Sequence, residues 1–75
     1  MDRIAVRLTY DVEADAAYVY LVASIGSGEV EETRHCLVEL DRAAINLDFD
    51  IDGRLLGIEI LGASRVLRPE VLMSE

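Results

Sequence analysis

Apolar and polar residues alternate along most of this chain, and the alternation breaks it into five segments. Residues 4–10 (IAVRLTY) put Ile4, Val6, Leu8 and Tyr10 on one side and Ala5, Arg7 and Thr9 on the other, the period-2 pattern of a half-buried strand. Residues 17–23 (AYVYLVA) have strong β propensity and are apolar on both sides. SIGSG (24–28) supplies turn residues. Residues 29–40 (EVEETRHCLVEL) alternate more weakly, with Cys36, Val38 and Leu40 sharing a side, and 41–43 turn. Residues 44–51 (AINLDFDI) and 54–61 (RLLGIEIL) complete the set. In the final ASRVLRPEVLMSE, Ser64 is placed to cap a short helix, and Pro69 ends that helix or opens a second turn. The pattern predicts one small β-rich domain over 1–75. Its class is mostly β (α+β), an antiparallel meander of about five strands with a short C-terminal helix.

The stretch DFDIDGRLLGIE (48–59) supports two readings. Asp48, Asp50, Asp52, Gly53 and Glu59 match the calcium-loop pattern D-x-[DN]-x-[DN]-G-x5-E. The same stretch reads as a hairpin with Asp52-Gly53 as a two-residue type I′ turn. Counting from that turn pairs Phe49 with Leu56, Leu47 with Ile58 and Ile45 with Ile60 on one face. Asp48 then pairs with Gly57 and Asn46 with Glu59 on the other. The unbroken period-2 series Ile45, Leu47, Phe49, Ile51 fits a strand and not a helix entering a loop, so the hairpin is preferred. Weak divalent-cation binding through Asp48, Asp50, Asp52 and Glu59 remains the alternative, with a solvated acidic face as the plain reading.

Composition narrows the function classes. A 75-residue chain buries a modest core and often relies on oligomerisation, a metal or disulfides. Cys36 and His35 are the single cysteine and histidine, so neither an internal disulfide nor a Cys/His zinc site is expected, and no cofactor is. No run of 18 apolar residues occurs, and Arg3 and Arg7 interrupt any signal-peptide core, so a cytoplasmic protein is expected. Seven arginines, no lysine and fifteen acidic residues give a net charge of −8. This balance argues against a nucleic-acid partner and favours a basic protein partner, or serves solubility alone.

Two groupings could carry function. Tyr10, Asp11 and Glu59 would form an acid–base set, with Glu59 as general base beside Tyr10, but no nucleophile or phosphate loop accompanies them. Asp11 and Asp15 also suit a turn held by side-chain-to-backbone bonds. Tyr18, Tyr20, Val22, Leu55 and Leu61 are candidate interface residues. Segments apolar on both sides need cover on both faces, and one short helix covers one. A homodimer is therefore expected, with an antitoxin-like basic-partner role as its extension. His35 and Cys36 are strand neighbours and point to opposite faces, Cys36 as a small buried apolar residue.

YDVEADAAYVYL (10–21) and DFDIDGRLLGIEILGASRVL (48–67) together resemble the small bacterial domain-of-unknown-function family 2283. Tyr10, Asp11, Glu13, Ala14, Asp15, Ala16, Tyr18 and Leu21 match its first block. Asp50, Asp52, Gly53, Arg54, Gly57, Ile58, Glu59, Ile60, Ala63 and Ser64 match its second. Ala17 stands where Leu is common and Gly62 where Asp is common. The resemblance implies a small β-rich fold and assigns no activity, ligand or catalytic residue.

Overall fold

The computed structural model describes residues 6–37 and 43–73. The expected start of the first strand at Ile4, its continuation through Val38 and Leu40 in the third, and the turn at 41–42 lie outside the described residues. The strands are β1 (Arg7–Asp11), β2 (Ala16–Tyr20), β3 (Glu32–Leu37), β4 (Ala44–Phe49) and β5 (Leu55–Leu61). Two one-turn helices follow, α1 (Ala63–Val66) and α2 (Pro69–Leu72). All five strands form one antiparallel sheet, in the order β1-β2-β5-β4-β3. The one departure from a simple meander is that β5, not β3, lies against β2. The chain leaves β2 through Leu21–Ala23 and crosses to the far edge before returning strand by strand.

Alternation sorts the side chains. Leu8 and Tyr10 of β1, Ala17 and Val19 of β2, Ile58 and Ile60 of β5 and Ile45 of β4 share one face. They pack there with Ala63, Val66, Leu67 and Leu72 from the helical end. Among the described residues the buried apolar set is small: Ala17, Leu56, Ile60 and Ala63. Burying a side chain the size of isoleucine contributes about 1.5–3 kcal/mol, so a core this size leaves the fold modestly stabilised.

The β4–β5 turn differs from the two-residue form. The Gly53 N–H bonds the Asp50 carbonyl (3.0 Å) and the Asp50 N–H bonds the Arg54 carbonyl (2.9 Å), which encloses a three-residue loop, Ile51–Gly53. Type I′ needs positive φ at both central residues. Here Gly53 alone is left-handed (φ 77°), and Asp52 is not. The Asp50 carboxylate selects this form by accepting the N–H groups of Asp52 (3.0 Å) and Arg54 (2.8 Å). A three-residue loop alone would slip the register by one residue. A bulge between Asp48 and Phe49, opposite Leu56, takes the slip back. Phe49 therefore faces Leu55 and not Leu56, while the expected pairs Asp48–Gly57, Leu47–Ile58, Asn46–Glu59 and Ile45–Ile60 all form.

Asp15 ties the β1–β2 turn to the start of α1. Its carboxylate accepts the Ser64 N–H (2.9 Å), the Ser64 hydroxyl (2.7 Å) and the Tyr10 hydroxyl (2.7 Å), and its carbonyl accepts the Ala63 N–H (2.9 Å). Ser64 is thus not the cap of α1. Gly62 holds that position without a side-chain bond, and Asp15 supplies the cap from 49 residues away in sequence. The Ser64 hydroxyl, then the Tyr10 hydroxyl and the Ser64 N–H, hold the Asp15 carboxyl below its usual range. Asp15 itself sits at φ 51°, a conformation that Asp tolerates better than most residues. The turn between β1 and β2 is held instead by Asp11, whose Oδ1 accepts the N–H groups of Glu13 (3.0 Å) and Ala14 (3.3 Å).

Candidate binding face

The face opposite the helices carries polar side chains in two rows across the strands. In one row, the Tyr18 ring crosses β5 above Gly57. A Cβ at Gly57 would lie 2.4 Å from the ring, so glycine there makes the crossing possible. The Tyr18 hydroxyl then donates to Asp48 on β4 (2.6 Å), and Thr33 on β3 donates to the other Asp48 oxygen (2.6 Å). Partial burial, followed by the Asp48 carboxylate, pushes the Tyr18 hydroxyl well above its ordinary pKa.

The second row joins His35 on β3, Asn46 on β4 and Glu59 on β5. Asn46 is buried and donates its amide to Glu59 (2.8 Å). A carboxylate only accepts, so the Asn46 amide nitrogen belongs on that side and its oxygen toward His35 Nδ1. His35 is then the donor through Nδ1–H, which leaves Nε2 directed away from the row. No buried side-chain nitrogen or oxygen among the described residues lacks a partner. Beside the rows, the Tyr18 and Tyr20 rings sit 4.7 Å apart at 51°, and the Arg7 guanidinium lies 3.9 Å from the Tyr20 ring centre. Arg7 also donates to the Ala23 carbonyl (3.3 Å).

The expected groupings fare differently. Tyr18, Tyr20 and Leu61 share the open face. Val22 lies beyond the end of β2, and Leu55 pairs with Phe49 on the opposite face, so these five do not form one patch. Tyr10, Asp11 and Glu59 are not brought together. Tyr10 is on the helix-covered face bound to Asp15, Asp11 holds its own turn, and Glu59 serves Asn46 on the open face. Among the metal candidates, Asp48 holds Tyr18 and Thr33, Asp50 holds the hairpin loop, and Glu59 holds Asn46. Among the described residues, no group of three or more His, Cys, Asp or Glu side chains is placed to hold a metal ion. Cys36 is exposed and not buried, because it sits on edge strand β3. Sequence reasoning missed the role of His35, as it missed the Tyr18–Asp48–Thr33 row and the Asp15–Ser64 tie. The hairpin count placed Asn46 opposite Glu59, but the weak alternation of β3 gave no register to carry that row to a third strand.

Residues 7–64 match the family model described as a protein of unknown function, DUF2283. The chain belongs to the DUF2283 family. The matched span runs from Arg7, at the start of β1, to Ser64, which Asp15 holds. It therefore encloses the whole described sheet and the tie that closes it. No curated protein and no solved structure matches this DUF2283 chain. No helix among its described residues is long and apolar enough to cross a membrane.

Proposed function

We propose that this DUF2283 chain is a non-enzymatic association module: a homodimer whose open sheet face receives an arginine-bearing surface of a basic protein, as an antitoxin-like neutralising domain would. A bacterial, cytoplasmic setting is part of this proposal. The observation that carries it is the tyrosine pair on the uncovered face, already holding one guanidinium, that of Arg7, over Tyr20. An aromatic surface that accepts one guanidinium suits others, and Asp48 and Glu59 beside it, with a net charge of −8, favour cationic partners. The separation of Tyr10 and Asp11 from Glu59 speaks against the acid–base alternative. Titration with an arginine-rich peptide tests the partner half of the reading. Binding is expected at low salt, weaker at high salt, and lost in a folded Tyr20→Ala variant. No binding at low salt, or full binding by Tyr20→Ala, contradicts it.

A further inference from the structure

We infer that two copies of this chain join along the free edge of β1, antiparallel and centred on Thr9, so that two five-stranded sheets become one. The inference rests on the homodimer half of the proposed function and names its interface.

The backbone determines which groups are free. The Leu21 N–H bonds the Leu56 carbonyl (3.0 Å), so the peptide groups of Leu21 face β5. Peptide groups alternate sides along an extended strand. Tyr20, Tyr18 and Ala16 therefore face β1, and their partners Arg7, Thr9 and Asp11 face β2. Among the described residues, no strand pairs with the N–H and C=O groups of Leu8 and Tyr10, which are left on the free edge, an open template for another strand.

Side chains then select the occupant and the register. A second β1 bonded through Leu8 and Tyr10 must pair even-numbered residues with even-numbered ones. When Leu8 pairs with Tyr10 of the second copy, Arg7 falls opposite Asp11 at both ends and Thr9 opposite Thr9 at the two-fold axis. Every residue of RLTYD is used. Arg7–Asp11 is then a non-hydrogen-bonded pair, the kind whose side chains approach most closely. Shifting by two residues either way leaves Arg7 or Asp11 opposite Thr9, and larger shifts set Arg7 against Arg7 or Asp11 against Asp11.

Other features agree. The described ion pairs are Arg34–Glu32 and Arg68–Glu70, so Arg7, which lies over Tyr20 and donates to the Ala23 carbonyl, has no carboxylate partner among the described residues. Leu8 and Tyr10, half-buried on the helix-covered face, would carry that apolar face across the junction. The same register continues to Val6 beside Val12 of the second copy, two of the most exposed apolar residues in the described chain. At the other edge, β3, the charge-matched register pairs Glu32 with Arg34 but uses only residues 32–34 of the strand, and Arg34 already holds Glu32 (2.8 Å).

Charge variants test the pairing by analytical ultracentrifugation, with circular dichroism confirming the sheet. The unmodified chain is expected to sediment as a dimer, and Arg7→Asp and Asp11→Arg each as monomers. An equimolar mixture of the two variants is expected to dimerise, because each then meets opposite charge on the other. Asp11→Arg also removes the bonds that hold the β1–β2 turn, so a second measurement avoids it. Thr9→Cys in a Cys36→Ser background is expected to cross-link into covalent dimers on mild oxidation, whereas Arg7→Cys in that background is not. Dimers that survive Arg7→Asp, or Thr9→Cys chains that fail to cross-link, overturn the β1 edge while leaving a homodimer standing. An unmodified chain that is monomeric overturns both.

Discussion

At the residue scale, the open face depends on glycine at position 57. Gly57→Ala forces the Tyr18 ring off β5 and breaks its bond to Asp48. A hydrogen bond to a charged group contributes about 1.5–3 kcal/mol, and replacing a strand glycine by alanine returns about 0.5–1 kcal/mol. Gly57→Ala is therefore expected to cost about 1 kcal/mol in urea denaturation. In a Tyr18→Ala background the same change has no ring to displace and should stabilise. Titration makes a second prediction. Tyr18 and Tyr10 are raised above their ordinary 10.0, Tyr18 mainly by burial and Tyr10 mainly by its bond to Asp15. Their contribution is complete below pH 10.0 and is lost as pH rises through the higher folded values. Denaturation midpoints should fall above that pH, and less steeply in Tyr18→Phe. Asp15 runs the other way. Its contribution is present above its ordinary 3.8 and is lost as pH falls through the lower folded value. Asp15→Asn should flatten that acid limb. No periodicity marked this last role, because the Asp15–Ser64 bonds span 49 residues and follow from neither strand nor helix spacing.

At the element scale, much of the sheet is legible from alternation and some of it is not. The hairpin register follows from placing Ile45 and Leu47 opposite Ile60 and Ile58, since a one-residue slip would turn apolar side chains to solvent. The loop type does not follow from it. A two-residue turn and a three-residue loop with a compensating bulge end in the same register, and the choice rests on which N–H groups the Asp50 carboxylate accepts. Gly53→Ala puts a side chain at positive φ in either form and should cost about 1–2 kcal/mol, so the residue that distinguishes the two is Asp52. Asp52→Ala, at a residue without positive φ, should cost little in the same measurement. Strand order was hidden because antiparallel pairing of β2 with β3 or with β5 satisfies the same apolar pattern. The crossing falls in Leu21–Ala23 and the loop after it, where no pattern reports a spatial neighbour.

At the scale of the whole molecule, a small sheet has one face closed by two short helices and the other laid out as ordered polar rows. Apolar segments alone would demand cover on both faces. The polar rows relax that demand on the open face, where Asn46, Glu59, Asp48 and Thr33 lie among the tyrosines, and they shift the case for self-association to the strand edge. There the five residues of β1 complement their own reversed copy, and the proposed dimer would leave the open face free for the proposed cationic partner. Joining the edges in this way would leave β3 as the outer described strand at each end of the combined sheet. The most direct test is sedimentation equilibrium of the unmodified chain beside Arg7→Asp at micromolar concentration. The prediction is a mass about twice the 8.3 kDa chain for the first and a folded single chain for the second. A folded single chain in both samples would contradict it.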